Sequence, residues 1–462
     1  MKLRSYQADS VRDIFKSWKK HTSVLYVLST GGGKTVVAAR IIQQLIYSGK
    51  RILFVAHRRE LVNQAVAKLV ADGINELSIG VIMSDDVRIR PSAPIQVASI
   101  DTLRHRRKPK ADIVVIDEAH RAVAPTYRKL SSWYPDVPTL GLTATPERLD
   151  GSGLGGVFQD IVLGAKMSEL IAGEWLMRPR VFTKPGSIPL SLKGIKTVRG
   201  DYDIRQLGRR MNRKELIGDI VGHWISHAFN RRTICFAVNI EHSKSITKAF
   251  LKAGVKAAHI DGETPVKRRA MLLEQLASGK IRVLSNCNVL TEGLDIPPVK
   301  GIIQARPTKS LTVYLQQTGR SERPYKEKLG RFKDQQITPI ILDHSGNAYV
   351  HGLPDEDRDW HLFVGRRKGK KGPAPAKSCE SCGLVVHAGV MVCPDCGFEF
   401  PKPVRYVQAA GQLREVNPPN PEILRKDYAK ILQFAARKSF PQKWARDVFQ
   451  MKYGYQPESV PA

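Results

Sequence analysis

Ser29-Thr30-Gly31-Gly32-Gly33-Lys34-Thr35 lies between two stretches of different periodicity. Before it, Val24-Leu25-Tyr26-Val27-Leu28 is a continuous apolar, β-favouring run, the pattern of a strand buried on both faces. After it, Val37, Ala38, Ile41, Ile42 and Leu45 recur at helical spacing as far as Gly49, which predicts a helix that stops there. The seven residues therefore occupy a strand-to-helix turn, the setting of a phosphate-binding loop. Gly31, Gly32 and Gly33 let backbone N–H groups close around phosphate oxygens with no side chain in the way. The helix N-terminus adds free donors and the positive end of its dipole. Lys34 is placed to reach the β- and γ-phosphates of a nucleotide, and the Thr35 hydroxyl to bind Mg²⁺. Leu28 stands where the usual G-x-x-x-x-G-K-[ST] spacing has its first glycine.

The rest of the chain must supply the groups that act on that phosphate. With 462 residues the chain holds about three units at ~100–200 residues per domain. Lys and Arg number 74 against 43 Asp and Glu, a formal net charge of +31. A surplus of that size points to a polyanion, most simply nucleic acid, or to a solvated basic surface. No apolar run approaches the ~20 residues of a membrane span, so no membrane partner is expected. Met1-Lys2-Leu3-Arg4 leads into polar sequence, which predicts no secretory leader. Of six cysteines, four cluster near the C-terminus, while Cys235 and Cys287 stand alone in apparent strands. That is not a disulfide framework, and a reducing cytosol fits it.

In the first half, Leu3-Arg4-Ser5-Tyr6-Gln7 precedes a helix-like stretch with Val11, Ile14, Phe15 and Trp18 on one face. A glutamine amide such as that of Gln7 both donates and accepts, as reading an adenine edge requires. Arg51–Ala56 and Ile95–Ile100 read as strands, followed by His57-Arg58-Arg59 and Asp101-Thr102-Leu103. Groups after such strands face the ligand side of an open parallel sheet. The strongly basic stretch 104–110 reads as an exposed loop, either touching phosphates or simply solvated. Ile113–Ile116 is a buried strand ending in Asp117-Glu118-Ala119-His120. In this pair Asp117 would hold Mg²⁺ through water and Glu118 would orient and deprotonate an attacking water. Thr143-Ala144-Thr145-Pro146 follows another strand, with hydroxyls able to sense a γ-phosphate.

In the second half, residues from about 150 to 210 read as a connector with short strands, in which 151–156 is a hinge or a loop. Strands at 233–238, 257–260, 281–284, 299–303 and 337–342 alternate with helical patterns, predicting a second parallel sheet. Within it stand Thr291-Glu292-Gly293-Leu294-Asp295-Ile296-Pro297 and Gln316-Gln317-Thr318-Gly319-Arg320-Ser321-Glu322-Arg323. The spacing of Arg320 and Arg323 predicts one helical face, from which a guanidinium could neutralise charge on a transferring phosphoryl group.

These stretches together resemble helicase superfamily 2 of the DEAH-box type. Gln7 looks like its Q motif, Gly31–Thr35 motif I, Asp117–His120 motif II, Thr143–Pro146 motif III, Thr291–Pro297 motif V and Gln316–Arg323 motif VI. The resemblance covers roughly residues 3 to 345. It implies two tandem RecA-like α/β domains with parallel sheets and ATP in the cleft between them. Lys34, Glu118, Arg320 and Arg323 are then catalytic, and Gln7, Gly31, Gly32, Gly33, Lys34, Thr35, Asp117 and Asp295 hold the nucleotide and Mg²⁺. His57, Arg58, Thr102, Asn239 and Thr291 become nucleic-acid contacts, and His120, Thr143, Thr145 and Gln316 couple the domains.

Beyond the core, 365–377 is a basic, Pro/Gly-rich linker. Cys379-x-x-Cys382 and Cys393-x-x-Cys396 are two knuckles with the spacing of a tetrahedral zinc site. Gly383 and Gly397 suit the turn after each pair, and His387 is a spare ligand. A segment this short is too small to fold on apolar burial alone and would draw on the metal. The tail has a helical stretch, 423–437, then Trp444, Phe449 and Tyr453 among Lys443, Arg446 and Lys452. This interleaving clamps nucleic acid or belongs to a small helical cap.

The expected boundaries are 1–155 for the ATP-binding domain, 156–212 for the connector, 213–364 for the second RecA-like domain, 365–378 for the linker, 379–400 for a zinc ribbon and 401–462 for a helical basic tail. A helicase core followed by a cysteine module resembles RadD-type bacterial DNA repair helicases, with relatives in phages. That implies a cytoplasmic, bacterial or phage-encoded motor using ATP, Mg²⁺ and Zn²⁺ on DNA, with a repair or replication protein as a further partner. A DEAH-type RNA helicase, and a zinc-bearing adaptor with a switch-like ATPase, remain the alternatives.

Overall fold

A computed structural model describes residues 3–122, 125–148, 151, 153–183, 192, 194–198, 200–290, 299–324, 326–329, 332–363, 376–400, 421–453 and 457. Two compact units result, residues 1–388 and 389–462. The first contains two α/β domains.

The first sheet takes β1 (Ser23–Val27), β2 (Ile52–Ala56), β3 (Ile79–Ile82), β4 (Ile95–Ser99), β5 (Ile113–Asp117), β6 (Thr139–Thr143) and β7 (Asp160–Leu163). They run in the order β3-β4-β2-β5-β6-β1-β7, every pair parallel. Continuous apolar runs are needed because both faces are covered. On one face Val24, Tyr26, Ile52 and Phe54 pack under α1 (Ser5–Trp18), α2 (Lys34–Tyr47) and α3 (Arg59–Ala71). On the other, Leu25, Val27, Leu53 and Val55 pack against α4 (Ile100–Leu103), α5 (Pro125–Trp133) and Leu154 with Phe158.

After α6 (Met167–Ala172), the second domain begins with β8 (Arg180–Thr183). A short hairpin of β9 (Thr197–Val198) and β10 (Asp201–Tyr202) follows, then α7 (Ile204–Met211), α8 (Lys214–His227), β11 (Thr233–Phe236), α9 (Ile240–Lys252), β12 (Ala257–Ile260), α10 (Val266–Ala277) and β13 (Val283–Asn286). Next come β14 (Gly301–Gln304), α11 (Leu311–Thr318), the hairpin β15 (Lys326–Leu329) and β16 (Phe332–Gln336), β17 (Ile340–Asp343) and α12 (Asn347–His351). The second sheet is parallel in the order β12-β13-β11-β14-β17-β8. The stretch that sequence suggests is a connector thus gives β7 to one sheet and β8 to the other.

The chain then returns to the first domain. Asp357 accepts hydrogen bonds from Ser168 N at 2.9 Å and Ser168 Oγ at 2.6 Å, at the start of α6. Gly155 N donates to Leu362 O at 2.9 Å, and Leu362 is buried in the first domain's core beside Trp360. A strap from 354 to 363 therefore ties the end of the second domain to the first.

In the second unit, Val392 and Glu399 form an antiparallel bridge. The helices α13 (Pro421–Arg437) and α14 (Gln442–Tyr453) form a hairpin that buries Leu424, Ala435, Ala445 and Phe449. Among the described residues no helix is long and apolar enough to cross a membrane. The linker stretch 365–375 lies outside the described residues.

Candidate functional site

In a parallel sheet the carboxyl ends of the strands share one edge, and ligands bind there. Because β5, β6 and β1 are neighbours, Asp117-Glu118, Thr143 and the phosphate loop meet at that edge. Thr30, Gly31, Gly33, Lys34, Thr35, Asp117 and Glu118 line a cleft of about 340 Å³, together with Gln316, Arg320 and Arg323 from the second domain. One cleft thus holds phosphate-loop, acidic and arginine groups that lie almost 300 residues apart in sequence.

Local geometry explains how the loop is shaped. Gly33 caps α2 in the left-handed region at φ 95°, and a Cβ there would lie 2.5 Å from Gln7 Nε2. Gln7 is buried beneath the loop, its Nε2 donating to Gly32 O at 3.4 Å while its Oε1 accepts from Arg4 N at 3.1 Å. Tyr6 adds a 2.7 Å hydrogen bond to the same Gly32 carbonyl. In this conformation one end of the Gln7 amide braces the loop and the other caps its own helix at Arg4.

Lys34 Nζ donates to Leu28 O at 3.0 Å. Burial lowers its pKa, and the nearby charges of Glu118 and Asp117 oppose that shift. Asp117 is raised, first by burial and then by Glu118, with Lys34 pulling the other way. A like charge beside it disfavours the ionised form of Asp117. Glu118 has φ 50°, in the left-handed region, an uncommon conformation for a side-chain-bearing residue. Buried His120 brings Nδ1 to 3.4 Å from Glu118 Oε2.

The arginines are placed differently from the sequence expectation. α11 ends at Thr318 and Gly319 caps it, so Arg320 and Arg323 lie in the turn beyond the helix, not along one helical face. The turn is docked on the phosphate loop. A Cβ on Gly319 would lie 2.7 Å from Thr30 Cβ, and one on Gly31 would lie 3.2 Å from Arg323 Cγ. Above them Thr143 Oγ1 donates to Thr145 O at 2.8 Å, closing that turn on itself, and Thr145 Oγ1 lies 3.0 Å from Thr312 Oγ1 of α11.

Three further lining residues, Gln64, Lys68 and Asp72, come from α3 and its C-cap. Their spacing of four is a helix-face signal present in the sequence, masked there by the apolar pattern of the same helix.

The nucleic-acid candidates lie elsewhere. His57 and Arg58 follow β2, and Thr102 sits in α4 after the neighbouring β4, so these three share the carboxyl edge of adjacent strands. Asn239 caps α9, its Oδ1 accepting from His242 N at 2.8 Å. Thr291 and Asp295 lie outside the described residues. The stretch 104–110 is an ordered loop. Lys108 Nζ donates to the carbonyls of Leu103, Arg104 and Arg106 at 2.9, 3.3 and 2.7 Å and lies 4.3 Å over the Trp133 ring. Arg104, Arg106 and Arg107 are left exposed.

The ligand sulfurs of Cys379, Cys382, Cys393 and Cys396 lie within 4.8 Å of one another, the donor set of a tetrahedral zinc site. Each knuckle repeats one geometry. Gly383 N donates to Cys379 O at 2.9 Å and Gly397 N to Cys393 O at 3.0 Å, with φ 74° and 75°. Of the tail aromatics, Phe449 is buried against Tyr428 and Trp444 packs on Phe434 and Phe440. Those rings serve the helix hairpin, and the side chain of Tyr453 is outside the described residues.

A phosphate loop, an acidic pair and two arginines from a second α/β domain define a two-domain nucleoside triphosphatase. Residues 1–148 match the family described as type III restriction enzyme, res subunit, and residues 213–324 match the helicase conserved C-terminal domain. A 51.5 kDa protein of Lactococcus phage (isolate 7-9) is 33% identical over 80% of this chain and 76% of its own length. Irc3 of Saccharomyces cerevisiae, an ATP-dependent helicase by name, is 33% identical over 71% of this chain, which spans half of Irc3. The DNA-bound Type ISP restriction-modification enzyme LlaBIII shares the fold, with a TM-score of 0.55 at 18% identity over 74% of this chain and 27% of LlaBIII. The chain belongs to helicase superfamily 2, and it is an ATP-hydrolysing helicase.

Proposed function

We propose that this helicase is a motor that uses ATP to move along DNA, with DNA preferred over RNA. The observation that carries the reading is the single cleft shared by Lys34, Asp117, Glu118, Arg320 and Arg323. In it the loop N–H groups and Lys34 would hold the phosphates, while Thr35 and Asp117 would hold Mg²⁺. The metal, when bound, neutralises charge on the β- and γ-phosphates. Glu118 would orient the attacking water and take its proton as the bond from the γ-phosphorus to the leaving ADP oxygen breaks. Arg320 and Arg323 would stabilise charge on the transferring group, completing the site only when the cleft is closed.

His120, Thr143, Thr145 and Gln316 would pass the state of that cleft between the domains. His57, Arg58 and Thr102 on one domain, with Asn239 and Thr291 on the other, would hold the strand, and Asp295 would join the nucleotide site. Opening and closing would then step a bound strand. The net charge of +31, a family named for restriction enzymes and a DNA-bound structural neighbour support DNA as the polymer. The four cysteines would hold a structural Zn²⁺. A DEAH-type, RadD-like role in repair or replication, in a bacterial or phage-infected cytoplasm, is the setting this reading favours. The ATP-binding domain expected up to about residue 155 would extend to β7, and the second motor domain expected over 213–364 would start at β8.

Strand separation is tested on forked, tailed and blunt DNA duplexes. Unwinding of at least one form with ATP, and none with Lys34→Ala, is the expected result. ATP turnover without separation of any substrate would restrict the protein to translocation or switching.

A further inference from the structure

We propose that Lys300, outside every motif described above, is a positioning residue that sets the arginine turn for reaction by holding its backbone. The proposal rests on the role given above to Arg320 and Arg323.

Lys300 is 3% exposed and lies just before β14 in the interior of the second domain. Its own backbone is fixed in the sheet. Lys300 N donates to Arg232 O at 3.0 Å, and Lys300 O accepts from Ile340 N at 2.8 Å. From there the side chain reaches the turn that follows α11. Nζ donates to Ser321 O at 3.1 Å, to Arg323 O at 2.6 Å and to Met177 Sδ at 3.3 Å. The carbonyl between those two, Glu322 O, accepts from Met177 N at 2.7 Å. Three successive carbonyls are thus held, two by one ammonium and one by the segment leading to β8.

An ammonium has three donors and all three are used, which is the condition under which a buried lysine is tolerated. Burial still pulls its pKa down to about 8, with Glu322 partly opposing the shift, so the placement carries a cost. An apolar side chain would fill the same space without that cost. What only the lysine supplies is a fixed link from the sheet to the residues carrying the two guanidinium groups. Arg323 already lies over Gly31 of the phosphate loop, so a shift of the turn moves the guanidinium relative to the phosphates.

The test is a cycle of variants of the full chain, assayed for ATP turnover with saturating single-stranded DNA. Lys300→Met is expected to lower kcat about tenfold or more with the KM for ATP within about twofold, because misplacement costs the chemical step rather than binding. Lys300→Arg, which keeps charge and donors, restores most of the loss. In an Arg323→Ala background, Lys300→Met adds little further loss, since the group it positions is already gone. Melting temperatures are recorded for each protein, and Lys300→Gln, with two donors, replaces the methionine variant if that one does not fold.

Equal loss from the Lys300 substitution in wild-type and Arg323→Ala backgrounds would show a merely structural role and overturn the proposal, as would unchanged kcat. Full turnover of Arg323→Ala alone would instead remove the arginine reading on which it rests.

Discussion

Thr145 Oγ1 lies 3.0 Å from Thr312 Oγ1, a buried contact between the two domains. The Thr312 hydroxyl donates to Glu147 O at 3.2 Å, so Thr145 is the donor of the pair. Thr145 follows the strand beside the phosphate loop. Thr312 lies on α11, one turn before Gln316 and two before the arginine turn. One buried hydrogen bond thus joins the turn after β6 to the helix that precedes the other domain's arginines.

Thr145→Val removes one buried hydrogen bond between the domains, a loss of about 0.5–1.5 kcal/mol, while the Thr312 hydroxyl keeps its bond to Glu147 O. The expected outcome is a polymer-stimulated turnover rate at least several-fold lower with ATP binding nearly intact, and Thr145→Ser restoring it. Stimulation of the valine variant equal to wild type would show that the contact does not couple the domains.

The loop after α4 should bind phosphates. Lys108 folds its amine back onto three carbonyls and so holds Arg104, Arg106 and Arg107 outward, beside Thr102 and the residues after β2. Replacing these three arginines by alanine should flatten the plot of log binding constant against log salt by roughly 2 to 3, at about 0.9 per phosphate contact. A charge-matched control, Lys16, Lys19 and Lys20 to alanine, removes three exposed cations near the opposite edge of the sheet. Equal effects of the two triple variants would mean that only net charge matters.

Glu322 gives a pH dependence. Burial, then the charge of Asp355, raises its pKa from 4.5 to about 8 in the folded chain. The folded state therefore binds more protons than the unfolded one between those values. Stability from this group is full below pH 4.5 and is lost as pH rises toward and through about 8. Glu322→Gln should show a shallower fall in melting temperature than wild type over that window. Parallel curves would mean that the carboxyl is ionised at neutral pH.

Zinc is tested by metal analysis of purified protein. One equivalent per chain is expected, lost on Cys393→Ser, because each thiolate is one of four ligands. Retention of a full equivalent in the serine variant would exclude Cys393 as a ligand.

Much of this was legible in the sequence because the signals are local. β1, the glycine loop and α2 follow from one change of periodicity, and the acidic pair from one strand end. Other features depend on contacts distant in the chain. That the Asn239 side-chain oxygen also caps α9, accepting from His242 N, shows only in the folded chain. Arg320 and Arg323 have helical spacing, yet α11 ends at Thr318 and they follow its cap Gly319, where the phosphate loop lies too close for a side chain. The strap over 354–363 has no periodicity at all. It is fixed by Leu362 entering a core formed 200 residues earlier and by Asp357 at the start of α6. Lys300 sits in an ordinary strand approach, and only its neighbours in space give it a task.

The most direct test of the central claim is ATP turnover measured without polymer and with single-stranded DNA, duplex DNA, branched DNA and RNA, using Lys34→Ala as the blank. DNA should raise turnover well above the polymer-free rate and above that with RNA. Turnover indifferent to every polymer, or raised by RNA alone, would contradict it.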